Sequence, residues 1–301
     1  MKISRVAIIG LGLIGGSVGL SVREMLPDVA TTGWDADADV RARAAERGLA
    51  GIICDSVAEA VREADLVILC VPVGAMGYAA EAIAPHIRPG TIVSDVGSSK
   101  RSVGEALAAA LPEAVVIPAH PVAGTENSGP EAGFATLFRH RWCIVTPRDD
   151  TPPDALAALS GFWEGLGATV EIMDPRHHDL VLAVTSHIPH LIAYTIVGTA
   201  SDLEEVTRGE VIKYSAGGFR DFTRIAASNP TMWRDVFLSN RDAVLEVLGR
   251  FTEDLSLLQR AIRNGDGDTL YDLFDRTRTI RRSIIEQGQD DARPDFGRKD
   301  H

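Results

Sequence analysis

Cysteine is scarce in this chain. Of its 301 residues only Cys54, Cys70 and Cys143 carry thiols, and no two of them form a CxxC pair. That excludes a disulfide framework; Cys70 and Cys143 lie inside strand-like runs and read as buried core thiols in a reducing compartment. Basic residues are in deficit, 30 against 42 acidic, for a net charge of −12. Such a balance argues against nucleic acid or an anionic membrane as the main partner. An anionic substrate would then need a local cluster of arginines set against the overall field. The chain also lacks an uninterrupted apolar run of about 20 residues, since Leu180 to Thr199 is broken by His187, Pro189 and His190, so no membrane span is expected. With no signal-peptide pattern before the first strand, the expectation is a soluble, cytoplasmic protein. No internal repeat is visible.

What is present begins at once. The β-branched run Val6 to Ile9 breaks into Gly10-Leu11-Gly12-Leu13-Ile14-Gly15, and apolar residues continue at helical spacing through Val18, Leu20 and Val22. Gly10 permits a tight strand-to-helix turn, Gly12 lets a pyrophosphate approach the backbone, and Gly15 lets helix and strand pack closely. The amides of Leu13 and Ile14 open the helix, where its dipole favours negative charge. Twenty residues after Gly15, a second strand-like stretch ends in Asp35. An acid there can accept hydrogen bonds from both ribose hydroxyls and would repel a 2′-phosphate, which favours NAD over NADP.

Strand and helix patterns alternate to about residue 174. Leu66 to Val71 is a continuous apolar run, as in a parallel strand buried on both faces. It ends in Val71-Pro72, at the carboxyl end where ligands gather in such sheets. Further strands are expected over Thr91 to Val96, Ala114 to Ala119, Trp142 to Thr146 and Thr169 to Met173. The expected fold class is α/β: a doubly wound domain of Rossmann type over 1–174, then an all-helical domain over 175–288. The polar segment 289–301 is expected to be disordered. Helical patterns run from Arg176 to Ala200, Pro230 to Ile262 and Asp268 to Gln287, with Asn229 as a cap before Pro230. Leu238, Val244, Leu245, Leu248, Phe251, Leu255 and Leu258 form an apolar stripe that a two-fold dimer interface would absorb.

Four further stretches carry chemistry. Asp95-Val96-Gly97-Ser98-Ser99-Lys100 lies at a strand end and a helix start, where a hydroxyl and an ammonium can meet a ligand; simple helix capping by Ser98 or Ser99 explains it equally well. His120-Pro121-Val122-Ala123-Gly124-Thr125-Glu126 follows another strand, and its imidazole suits a general base that takes a hydroxyl proton as hydride leaves the same carbon. Ser186-His187-Ile188-Pro189-His190 sits in the first long helix, which Pro189 would kink. No third ligand stands at a spacing that would make His187 and His190 a metal site. Finally, Gly217-Gly218-Phe219-Arg220-Asp221-Phe222-Thr223-Arg224, followed by Met232-Trp233, offers arginine to grip a carboxylate, held by Asp221.

In order and spacing, GLGLIGGS, DVGSSK, HPVAGTE, SHIPH and GGFRDFTRIAASNPTMW resemble the prephenate/arogenate dehydrogenase family of tyrosine biosynthesis. The resemblance spans residues 6–233 and implies an NAD-dependent oxidative decarboxylation of prephenate, and a homodimer formed through the C-terminal helices. It makes His120 the catalytic histidine and Ser98 the serine that orients it, the substrate hydroxyl and the nicotinamide. His190, Arg224, Asp221 and Trp233, with Gly217 and Thr125, become substrate-side residues. Between Arg224 and Trp233 there is no carboxylate to meet an arogenate ammonium, which favours prephenate, although Asp221, Glu126 or Asp235 can serve. No chorismate mutase stretch and no amino-acid-sensing domain is expected. Two other readings remain. One is a β-hydroxyacid or imine dehydrogenase of similar architecture, which would want a lysine where this helix carries histidines. The other is a non-catalytic NAD-binding redox sensor.

Overall fold

A computed structural model describes residues 2–125, 127–202 and 217–286, with side chains to Ser283. Glu126 and the expected tail 289–301 lie outside the described residues. The described chain falls into two compact units that divide between Leu245 and Glu246.

The first unit is built on a six-stranded parallel sheet in the order β3-β2-β1-β4-β5-β6. Its strands are β1 (Arg5–Ile9), β2 (Ala30–Trp34), β3 (Ile52–Ile53), β4 (Leu66–Leu69), β5 (Ile92–Asp95) and β6 (Val115–Val116). Alternate residues serve opposite faces, as the period of a strand dictates. Val6, Ile8, Leu66 and Ile68 pack with Val18 and Val22 of α1 (Leu13–Met25) and with Leu159, Phe162 and Trp163 of α6 (Pro153–Gly165). Ala7, Ile9, Val67 and Leu69 meet Met76, Ala80 and Ile83 of α4 (Met76–Ile83), and Val103 and Leu107 of α5 (Arg101–Ala110). Helices α2 (Ala38–Arg47) and α3 (Val57–Val61) complete the crossovers. The strand order reverses between β1 and β4, so a crevice opens at their carboxyl ends, beside Gly10 and Val71.

The single strand expected over Ala114 to Ala119 is instead two pieces in two sheets. β6 ends at Val116, and after Pro118 the chain enters β7 (Ala119–Pro121), which pairs antiparallel with β8 (Trp142–Val145). Proline lacks the N–H that a continuing central strand would need, and the Pro118 carbonyl instead accepts from Thr146 N–H at 2.9 Å. β9 (Thr169–Ile172) runs parallel to β8 and completes this three-stranded sheet. β3, only two residues long, was not expected from its sequence.

After β9 the unit is helical. α7 (Pro175–Leu182) is capped by Asp174, whose carboxylate accepts from the Arg176 and His177 amides. It passes through one π-helical turn (Ala183–His187) into α8 (Ile188–Asp202). The turn falls just before Pro189, where a proline removes an ordinary helical bond, and the Ile188 amide reaches back to the Ala183 carbonyl instead. Among the described residues, this is the one helix long and apolar enough to cross a membrane by length and composition. Its polar residues His178, Asp179 and His187 are buried against the rest of the unit.

α9 (Gly217–Thr223) leads to α10 (Pro230–Ser239), capped as expected by Asn229, which accepts from the Thr231 and Met232 amides. The helix expected to run unbroken from Pro230 to Ile262 stops at Ser239 and restarts as α11 (Arg241–Asn264). The intervening Asn240 is buried, and its side chain bonds away from the helix, to the Asp179 carbonyl and to His187. The second unit holds most of α11 and α12 (Gly267–Glu286). Leu255, Leu257, Ile262, Tyr271, Phe274 and Ile280 are exposed there.

Candidate active site

The glycine turn has the geometry its spacing implies. Gly10 adopts φ +98°, and a side chain there would strike the Cys70 carbonyl at 2.7 Å. A Cβ on Gly15 would lie 1.9 Å from the Gly10 carbonyl oxygen, whereas one on Gly12 would meet nothing within 4 Å. Gly10 and Gly15 therefore close the backbone, and Gly12 leaves open space above it. No side chain caps α1, so its first amides keep their hydrogen-bonding capacity for an anion. Asp35 ends β2 with one oxygen on the Leu11 amide at 2.8 Å and the other on the Asp37 amide at 3.0 Å. Each carboxylate oxygen retains a lone pair for a diol. These features fit a dinucleotide at the crevice between β1 and β4.

Beyond the carboxyl end of β5, the stretch Asp95 to Lys100 departs from expectation. Lys100 is fully buried; its ammonium is bonded to Asp95 and donates to the Ala119 carbonyl at 2.7 Å. Burial pushes the Asp95 carboxyl up and the Lys100 ammonium down, and their mutual attraction opposes both shifts. This ammonium braces β5 against β7 and is not offered to a ligand. Neither Ser98 nor Ser99 caps α5. Ser99 Oγ pairs with Ser239 Oγ at 2.8 Å, and the first amides, Lys100 N–H and Arg101 N–H, donate to the two oxygens of Asp179 at 2.7 and 3.1 Å. Ser98 is half-buried in the turn before α5.

His120 is the middle residue of β7, 8% exposed. Its Nδ1 lies 2.9 Å from His178 Nε2, and His178 Nδ1 lies 2.9 Å from Asp179 Oδ1. Burial pushes the His120 imidazole well below its ordinary range, helped by His178, Lys100 and His187. The Asp179 carboxyl is held below the usual range: burial opposes this, but hydrogen bonds from His178 and from the Lys100 and Arg101 amides prevail. Asn240 Nδ2 donates to the Asp179 carbonyl at 2.8 Å and to His187 Nδ1 at 3.1 Å. Burial brings the His187 imidazole down to about 4.

From His187 the cluster continues outward. Its ring stands edge-on to Trp233, with centroids 6.0 Å apart, and Trp233 stacks on His190 at 3.7 Å. His190 Nδ1 donates to the Ser186 carbonyl at 2.8 Å, which leaves Nε2 as its acceptor. Burial lowers the His190 imidazole, and the positive charge of Arg224 lowers it further. Trp233 Nε1–H is a buried donor with no hydrogen-bond partner among the described residues, whereas the His187 ring also meets the Ser98 backbone. A polar ligand or an ordered water would satisfy the Trp233 donor.

The structure thus joins His120, His190 and Trp233, with Arg224 close by, through residues the sequence reading passed over: His178, Asp179 and Asn240. An adjacent His-Asp pair near the start of an otherwise apolar helix was the signal available for two of them. Thr125, Gly217 and Asp221 are exposed. Thr125 Oγ1 accepts from the Asn127 amide, and Gly217 lies against Asp221. Asp235, one candidate partner for an ammonium, has Oδ1 engaged by Arg234 at 2.7 and 2.8 Å and Oδ2 packed over Gly74.

Known proteins share this chain's sequence and fold. Residues 18–172 match the family model for the prephenate dehydrogenase nucleotide-binding domain, and residues 174–276 match its dimerization domain. A cyclohexadienyl dehydrogenase of Zymomonas mobilis is 46% identical over 93% of this chain and 95% of its own length. A prephenate dehydrogenase of Bacillus subtilis is 32% identical over 92% of this chain and 75% of its own. Among solved structures, prephenate dehydrogenase of Aquifex aeolicus in complex with hydroxyphenyl propionate and NAD+ superposes with a TM-score of 0.87. It is 31% identical and covers 94% of this chain and 99% of its own. The chain belongs to the prephenate dehydrogenase family.

Proposed function

We propose that this protein is an NAD-dependent dehydrogenase of tyrosine biosynthesis, converting prephenate to 4-hydroxyphenylpyruvate, carbon dioxide and NADH. The observation that carries the reading is His120: a buried, neutral imidazole in β7, joined through one continuous cluster to His190, Trp233 and the arginine beside them. When bound, NAD supplies the hydride acceptor. Gly10, Gly12, Leu13, Ile14 and Gly15 would hold its pyrophosphate, Asp35 its ribose, and Val71, Pro72 and Ser98 would line the nicotinamide end.

Arg224 would bind a substrate carboxylate, with His190, Trp233, Asp221, Gly217 and Thr125 on the same side. Hydride leaves ring C4 as the C4 hydroxyl gives its proton to His120. Carbon dioxide then leaves C1, the ring becomes aromatic, and the proton returns to the phenolate oxygen. Aromatisation drives the sequence, so the residues must chiefly position the ring and hold one proton. The engagement of Asp235 with Arg234 removes one carboxylate that could greet an arogenate ammonium, which supports prephenate as the preferred substrate. A second copy of the chain, docked on the exposed apolar side chains of α11 and α12, would make the homodimer, in the cytoplasm. The domain boundary for function lies at residues 174–175, where the sheets end.

Purified protein supplied with NAD, and with prephenate and arogenate in parallel, tests this through NADH absorbance. Turnover with prephenate supports the reading, turnover with arogenate alone reverses the substrate preference, and silence with both overturns it.

A further inference from the structure

We propose that His178, itself oriented by Asp179, is a positioning residue that fixes His120 in the Nδ1–H tautomer and so makes Nε2 the proton acceptor. This rests on the reading of His120 as the base, and it follows from donor and acceptor bookkeeping along one buried chain of atoms.

The chain starts at a helix end. Asp179 receives the Lys100 and Arg101 amides at the N-terminus of α5, where backbone dipoles favour an anion. An ionised carboxylate only accepts, so the His178 nitrogen 2.9 Å away, Nδ1, must carry the proton. Burial keeps His178 neutral near pH 7, with the Lys100 charge also disfavouring its cation and Asp179 acting the other way. A neutral ring protonated at Nδ1 presents a bare Nε2, and that nitrogen faces His120 Nδ1 at 2.9 Å. His120 must therefore donate from Nδ1, and its own Nε2 is left bare. The opposite assignment would set two lone pairs against each other at His178–Asp179, or require a buried imidazolium. The hydrogen bond at one ring nitrogen decides which nitrogen does chemistry at the other. The titratable and charged groups around His120 are His178 and Asp179 from α7, Asp95 from β5, Lys100 from the β5–α5 connection, His187 from the π-helical turn and Cys143 from β8.

His178→Phe offers the sharpest test, because it removes the acceptor while keeping a ring in place. Asp179 keeps the two α5 amides, one on each oxygen. His120 Nδ1 then has no partner to hold its proton there, and the ring is free to carry it on Nε2, the wrong nitrogen. A misplaced proton on a catalytic histidine with geometry intact costs about four orders of magnitude in turnover in a serine protease triad. Here kcat is expected to fall about 10²- to 10⁴-fold, while KM for prephenate and Kd for NAD stay within about threefold.

The full-length chain labelled with 15N-histidine reads the tautomer directly by NMR. Wild type should show His120 Nδ1 protonated and Nε2 bare, and His178→Phe should lose that preference. His178→Gln is the rescue. Phenylalanine removes the acceptor, whereas the glutamine oxygen can accept from His120 and its amide can donate to Asp179, so Gln should recover activity to within about tenfold of wild type and Phe should not. A wild-type His120 protonated at Nε2, or a tautomer and kcat indifferent to these substitutions, overturns the proposal. Correct tautomers in a protein that oxidises neither prephenate nor arogenate would uphold the relay and sink the dehydrogenase reading beneath it.

Discussion

The cofactor side and the substrate side of this molecule are built by different means. At the glycine turn, six consecutive residues specify their own geometry, and the functional surface is main chain: open space over Gly12 and uncapped amides on α1. Around His120 the functional surface is side chain, drawn from β7, α7, the π-helical turn and Asn240, residues separated by 53 to 61 positions where they bond. In the first design Gly10 and Gly15 admit no side chain, and Leu11 between them is core. The second is exposed to any substitution that moves a proton.

That contrast is sharpest within the glycine turn itself. Gly15→Ala forces a methyl to 1.9 Å from the Gly10 carbonyl, and is expected to cost about 4 kcal/mol or more, enough to unfold a protein of ordinary stability. Gly12→Ala adds a methyl in open space and should leave the melting temperature nearly unchanged while weakening NAD binding. Thermal melts with NAD titrations separate the two. A folded, NAD-binding Gly15→Ala protein would break the comparison at its root.

On the other side, His120→Asn is expected to lower kcat about 10²- to 10⁴-fold, as for loss of a general base, with NAD affinity retained. Equal loss of NAD binding would show that the two sides are not separable. Arg224→Ala should chiefly raise the KM for prephenate, by about 10- to 100-fold, since a truncated charge-assisted contact costs roughly 1.5–3 kcal/mol. An unchanged KM removes Arg224 from the substrate pocket.

The same division explains what could be read before the structure. The fingerprint, Asp35, the strands β1, β2, β4 and β5 and the Asn229 cap are local patterns, and each stands where its pattern put it. The break at Pro118 was carried by a single proline inside an apolar run that otherwise looks continuous. The break at Asn240 has no local cause, because an asparagine is tolerated in a helix until its amide is claimed by partners more than 50 positions away. Lys100 departs from its local pattern for the same reason. A lysine after two serines suggests an exposed cation, and only the meeting of β5 with β7 shows it enclosed with Asp95 and the Ala119 carbonyl. His120 stood out because a proline and a glycine loop follow it; His178 and Asp179, one turn into an apolar helix, gain their meaning only from what they touch.

The smallest predicted effect concerns the protons this side-chain design keeps out. His187 is held down to about 4 by burial, against 6.5 for an unburied imidazole, and His120 and His178 are shifted the same way. A group whose folded pKa is depressed binds its proton more readily in the unfolded chain, so stability present above about pH 6.5 is lost as pH falls towards the folded value. For His187 alone the displacement is worth about 3 kcal/mol. At about 2 °C per kcal/mol for a chain of this size, His187→Gln should lose roughly 5 °C less than wild type between about pH 7 and about pH 4.5. Glutamine can still accept the Asn240 amide, so the comparison isolates the proton. Parallel melting curves would mean that His187 takes up its proton in the folded protein at the ordinary imidazole pH, and that the substrate side tolerates a buried cation beside Trp233.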